Sequence, residues 1–78
     1  MKVFISADIE GVTGVTDWTE TELGHGEFEA ARQQMTAEVV AACDGALYAG
    51  ASEVWVKDSH DSARNLIAAR LPEETRLI

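Results

Sequence analysis

A chain of 78 residues makes one domain at most, and folding at this size removes only about 60% of the surface that the unfolded chain exposes. Hydrophobic residues are 46% of the chain and charged ones 26%, which excludes a disordered segment. The 14 Asp plus Glu against 6 Lys plus Arg give a formal net charge of -8, so nucleic acid and membrane surfaces are poor partners and cations are suitable ones.

Lys2 to Gly14, KVFISADIEGVTG, opens on a short apolar run, Val3-Phe4-Ile5, with the pattern of a strand covered on both faces. The run stops at Asp8, too early for the core of a signal peptide, and no later stretch is long enough to span a bilayer. The strand delivers two carboxylates, Asp8 and Glu10, into a loop hinged by Gly11 and Gly14, where a ligand can approach the backbone closely. Residues 15–26, VTDWTETELGHG, have no sustained period and read as a loop on the same edge as Asp8. Within it, Trp18 is either a substrate-facing wall or, the commoner role, the lid of a small core. His25, between two glycines, is solvated unless it serves a metal or a substrate.

Residues 27–49 carry the clearest helical period: Phe28, Ala31, Met35, Val39, Ala42, Ala46 and Ala49 form one stripe, widened by Val40, Cys43 and Leu47. Glu27 and Glu29 suit its amino-terminal dipole, and Gly50 suits a carboxyl-terminal cap. Gly45 costs helix stability, so a neighbouring element is expected to approach it. Cys43, the single cysteine, cannot close an internal disulfide and reads as a small buried hydrophobe, which points to a reducing, cytoplasmic compartment.

Val54-Trp55-Val56 repeats the character of the first strand and ends in Asp58-Ser59-His60-Asp61. Strand, helix and strand make a βαβ unit of parallel strands, which share one carboxyl edge. Asp8 and Glu10 from one strand and Asp58 and His60 from the other therefore reach the same rim, where α/β sheets bind ligands. Residues 62–70 support a short helix or helical turn ended by Pro72, and Arg76-Leu77-Ile78 begins a third strand. One helix cannot cover both faces of such a sheet, so the chain is expected to be a single partial α/β domain over residues 1–78, the amino-terminal portion of a larger three-layer α/β domain, or an obligate assembler.

Asp8, Glu10 and His60 supply two carboxylates and an imidazole, a donor set for zinc, manganese or iron in a hydrolytic site, with Asp58 available to orient the imidazole. Spacing alone leaves the trio open between a metal role and solvated loop polarity. Phosphoryl transfer with Asp8 as nucleophile is weaker, because Glu10 stands where a second Asp is usual and no downstream Lys is evident.

The segment Asp8-Ile9-Glu10-Gly11-Val12-Thr13-Gly14 resembles the DxEG-x-[ST/A]-G opening of the zinc-dependent D-aminopeptidases of the DppA type, peptidase family M55. Arg32, Met35-Thr36, Glu38, Gly45, Ala49-Gly50-Ala51, Val54, Val56, Asp58-Ser59-His60 and Asn65-Leu66 match in order, so the resemblance runs over the whole chain. It implies two zinc ions, with Asp8 bridging both, Glu10 on one and His60 on the other, Asp58 and Ser59 behind them, and Gly11 and Gly14 shaping the loop. It also implies removal of N-terminal D-amino acids such as D-alanine from short peptides, by a ring-like homo-oligomer. The family's remaining ligands, a histidine and a glutamate, and its catalytic histidine lie beyond the position matching Ile78, so no catalytic residue is expected within this chain, which alone is expected to be inactive or nearly so. His25 matches no family ligand, and Val40 stands where relatives often have Asn. The alternative is a complete, non-catalytic α/β module that binds a divalent cation or a partner subunit.

Overall fold

The computed structural model describes residues 1–78. Three strands, β1 (Lys2–Ala7), β2 (Glu53–Asp58) and β3 (Thr75–Leu77), form one sheet in the order β1-β2-β3, and both neighbouring pairs are parallel. A single long helix, α1 (Phe28–Tyr48), connects β1 to β2. This is the βαβ unit expected from the alternation of apolar runs, with a third parallel strand beside it.

Both ends of α1 follow from the sequence. Glu27 occupies the cap position without a side-chain cap bond, and Glu29 lies in the first turn, where the helix dipole favours an acid. At the other end Gly50 takes φ +98, and its N–H donates to the Leu47 carbonyl while Ala51 N–H donates to Ala46. These two bonds form a Schellman cap, which needs a left-handed residue at the Gly50 position. Phe28, Ala31, Met35, Val39 and Cys43 bury one stripe of the helix against Val54 and Val56 of β2 and Ala7 of β1. Ala42 and Ala49, expected on that stripe, are exposed, and Thr36, which the apolar pattern passes over, is fully buried. Burial pushes the Cys43 thiol up, and the neighbouring Asp44 charge adds to this, so the residue is an unreactive hydrophobe.

Two expectations are corrected. The strands are covered on one face only, because α1 packs on one side: Phe4 on the opposite side is 60% exposed. On that bare side Trp55 is half-buried beneath the Arg76 guanidinium, 5.1 Å from the ring centroid, and donates from Nε1 to Glu53 at 3.3 Å. Gly45 has no close neighbour, since nothing lies within 4 Å of where a Cβ would stand. Residues 62–70 take the shorter of the two forms expected, one 3-10 turn at Ala68–Arg70 before Pro72; Asp61 and Ala63 sit at φ 43 and 58, in the left-handed region that a right-handed helix cannot continue through.

Candidate metal centre

Strand alternation explains how two acids reach one place. Odd-numbered residues of β1 face α1, and this parity continues past the strand, with Ala7 and Ile9 buried. Asp8 and Glu10, two residues apart, are therefore both turned outward. Ile9 is fully buried and its carbonyl accepts from Val12 N–H, which pins the loop at its first turn. Gly11 and Gly14 take φ +92 and +88, and the loop passes through both without strain.

His60 completes the cluster from the end of β2. Its Nδ1 lies 2.9 Å from Asp8 Oδ1 and 3.1 Å from Glu10 Oε1. One donor atom from each of the three residues falls within 4.8 Å of the others. On the far side of the ring, Nε2 lies 2.7 Å from the Thr21 backbone carbonyl. Burial pulls the imidazole down, but the Thr21 carbonyl and the charges of Glu10 and Asp8 outweigh it, and the imidazolium is favoured above its ordinary value. Burial likewise raises Asp8, yet bonds from Glu10 and the Ile9 amide, with the His60 charge, hold its carboxyl below the usual range. The Ile9 N–H donates to Asp8 Oδ1 at 2.7 Å.

The donor set fits a divalent cation. Ligands about 2.0–2.2 Å from zinc in a tetrahedron stand about 3.4 Å apart, close to the spacings observed between the imidazole and the two carboxylates. Two carboxylates and one imidazole suit zinc and leave coordination positions open. A cleft of about 360 Å³ opens beside Glu10, with Gly11, Val15 and Trp18 among its walls. Trp18, 72% exposed, is a wall of this cleft rather than the lid of a core.

The residues expected behind the ligands have other work. Asp58 does not touch the imidazole; that contact belongs to the Thr21 carbonyl. Asp58 is buried, its Oδ2 accepts from Asn65 and Leu66 N–H at 2.7 and 2.8 Å, and its Oδ1 accepts from Asn65 Nδ2 at 2.8 Å. Asn65 Nδ2 also donates to the His60 carbonyl at 2.6 Å, so Asp58 fixes the backbone that carries His60. The Ser59 hydroxyl pairs with that of Ser6 at 2.7 Å and makes no hydrogen bond to the three candidate ligands. His25 is exposed and accepts from Glu27 N–H at 3.3 Å through Nδ1. Sequence reasoning missed Thr21, whose contribution is a backbone atom, and Thr36, whose Oγ1 donates to the Arg32 carbonyl and accepts from Ile67 N–H.

The sequence profile of Peptidase M55, D-aminopeptidase, matches residues 1–78. The chain belongs to this family. It is 37% identical over 78 residues to the D-aminopeptidase of Bacillus subtilis strain 168, covering 100% of this chain and 28% of that protein. The solved structure of the Zn-dependent D-aminopeptidase DppA from Bacillus subtilis, a self-compartmentalizing protease, aligns with a TM-score of 0.95 over 100% of this chain and 28% of its own, at 37% identity. The M55 chain described here thus spans little more than a quarter of the length of the relative it matches, and its α/β architecture is that of the corresponding portion of DppA. No helix in it is long and apolar enough to cross a membrane.

Proposed function

We propose that this chain forms part of a longer M55 peptidase domain and contributes Asp8, Glu10 and His60 to a two-zinc site that removes N-terminal D-amino acids, such as D-alanine, from short peptides. The observation that carries the reading is the convergence of these three side chains, from the ends of two neighbouring parallel strands, within 4.8 Å of one another. In this reading Asp8, Glu10 and His60 would hold the metal from this chain's side, and the remaining ligands would come from the rest of the domain. Zinc there supplies Lewis-acid polarisation of the peptide carbonyl and activation of water. The protein's own contribution is to hold two anionic donors and one imidazole in place, with Ile9 and Asn65 as the anchors behind them. The cleft beside Glu10 receives the peptide's first residue. The working protein is a homo-oligomer, a reading supported by the self-compartmentalizing relative, and it is cytoplasmic, a reading supported by the lone, buried Cys43.

Zinc titration of the chain by calorimetry, beside His60→Ala, tests the site: the variant is expected to lose at least tenfold in affinity, and equal affinity would remove His60 from it. The chain alone, lacking the rest of the shell, is expected to show almost no hydrolysis of D-Ala-D-Ala. The bare sheet face around Phe4 and Trp55 also favours a second reading, a non-catalytic module that docks on a partner subunit through this face. The intact mass of the polypeptide from its native source separates the two: a mass several times 8.4 kDa favours the peptidase, and a mass near 8.4 kDa the module.

A further inference from the structure

We propose that the 3-10 turn Trp18–Thr21, held by Asp17, is the positioning element of the metal site, because its Thr21 carbonyl fixes which nitrogen of His60 faces the metal. This deepens the metal-site reading above and rests on it. A backbone carbonyl only accepts, so at 2.7 Å from Thr21 the Nε2 atom must carry a proton. Nδ1, the nitrogen 2.9 and 3.1 Å from the two carboxylates, is then the one whose proton a cation displaces, because a metal takes the neutral ring and the Nε2 proton stays on the Thr21 carbonyl. Without the carbonyl, a neutral ring beside two anions would place its one proton on Nδ1, toward them, and the donor atom would be blocked. The Thr21 carbonyl holds that proton on the opposite side. Metal-binding histidines are commonly tuned through the second nitrogen in this way.

The turn is built to keep that carbonyl in place. Asp17 Oδ1 accepts from both the N–H and the hydroxyl of Thr19 at 3.0 Å, and the Asp17 carbonyl accepts from Glu20 N–H. The Thr21 hydroxyl donates to the Trp18 carbonyl at 2.8 Å, and Thr21 itself is buried. The single proton of the Thr19 hydroxyl is shared between Asp17 and Glu27 Oε2, also at 3.0 Å, which places the turn beside the start of α1. Asp17 is exposed and 43 residues from His60 in sequence, so its effect on zinc passes through the turn and not through contact.

The test compares wild type, Asp17→Ala and the cap-conserving Asp17→Asn, each made in the full-length polypeptide that carries the rest of the metal shell and loaded with zinc alone. Imidazole 15N spectra of the loaded wild type are expected to show zinc on Nδ1 of His60 and a proton on Nε2 that exchanges slowly with water. Asp17→Ala is expected to lose roughly five- to tenfold in zinc affinity and to speed Nε2–H exchange, with both restored in Asp17→Asn. Zinc found on Nε2 in the wild type overturns the proposal whatever the variants do. So does an Asp17→Ala chain with wild-type affinity and exchange, in which case the metal site stands without this device. A wild-type chain that binds no zinc removes both.

Discussion

Replacing Asp58 separates its structural role from any direct role at the metal. Three hydrogen bonds of 2.7, 2.8 and 2.8 Å converge on this buried carboxylate, two from backbone amides and one from Asn65 Nδ2. Hydrogen bonds to a charged group contribute about 1.5–3 kcal/mol each, and they are not additive here because Asn65 Nδ2 keeps its second bond, to the His60 carbonyl. Asp58→Ala leaves both amides buried without an acceptor, a loss of about 3–5 kcal/mol. The whole stability of a 78-residue domain is about 4–12 kcal/mol. At about 4–8 °C per kcal/mol the melting temperature should fall by about 12–40 °C. Asp58→Asn keeps one oxygen for the two amides but turns an NH2 group toward Asn65 Nδ2, so it should cost only about 2 kcal/mol. Circular-dichroism melts of the three proteins, followed by zinc titration of Asp58→Asn, make the comparison. The Asn variant should bind zinc within a few-fold of wild type, since the carboxylate does not touch the imidazole. An Ala variant melting within about 5 °C of wild type, or an Asn variant that loses zinc as completely as His60→Ala, would refute the reasoning.

Thr36→Val should destabilise the chain by about 1–2 kcal/mol in urea unfolding, because it keeps the volume but strands the Ile67 N–H that Thr36 Oγ1 accepts at 3.0 Å; an unchanged midpoint would show that this bond contributes nothing. The raised His60 value adds stability to the metal-free chain that is fully present below about pH 6.5 and is lost as pH rises through the folded value, so melting in chelator should be higher at pH 6 than at pH 8. Zinc affinity should move the other way, rising over the same range as the Nδ1 proton becomes easier to displace, and His60→Gln should abolish both slopes. Asp8 works at the acid end: its lowered value adds stability above about pH 3.9 that is lost as pH falls through the folded value, and its exposure keeps that contribution small.

Periodicity and caps carried the fold to within a residue or two. The stripe from Phe28 to Cys43 and the glycine at position 50 marked α1, and the two apolar runs marked β1 and β2. Burial of individual residues was less legible where it depends on what lies across the sheet. Phe4 and Trp55 belong to runs that read as fully buried strands, yet they lie on the side that no helix covers. The irregular path from Asp61 to Ala63 was also hidden, since Ala63 gives no sign of the left-handed backbone it adopts here and Asp61, which tolerates that region, only permits it. The site divides along the same line. Side-chain donors are visible as residue types, whereas the Thr21 carbonyl has no signature of its own, and only the folded loop reveals that it meets His60.

Register decides the opposite fates of the two aspartates that end the neighbouring strands. Asp58 stands in register with Ala7, and both point inward to the α1 side of the sheet. Asp8 is one residue further along its strand and points out. A carboxylate in the inward position can be kept only if several donors converge on it, and the loop from His60 to Leu66 supplies them. A carboxylate in the outward position needs no such partners and stays open to a cation. The same alternation that buries Ile9 brings Glu10 round beside Asp8, so moving the register by one residue would bury both acids and expose the apolar residue between them. The spacing Asp8-Ile9-Glu10 thus meets the packing requirement of the strand end and, at once, the donor requirement of the proposed metal site.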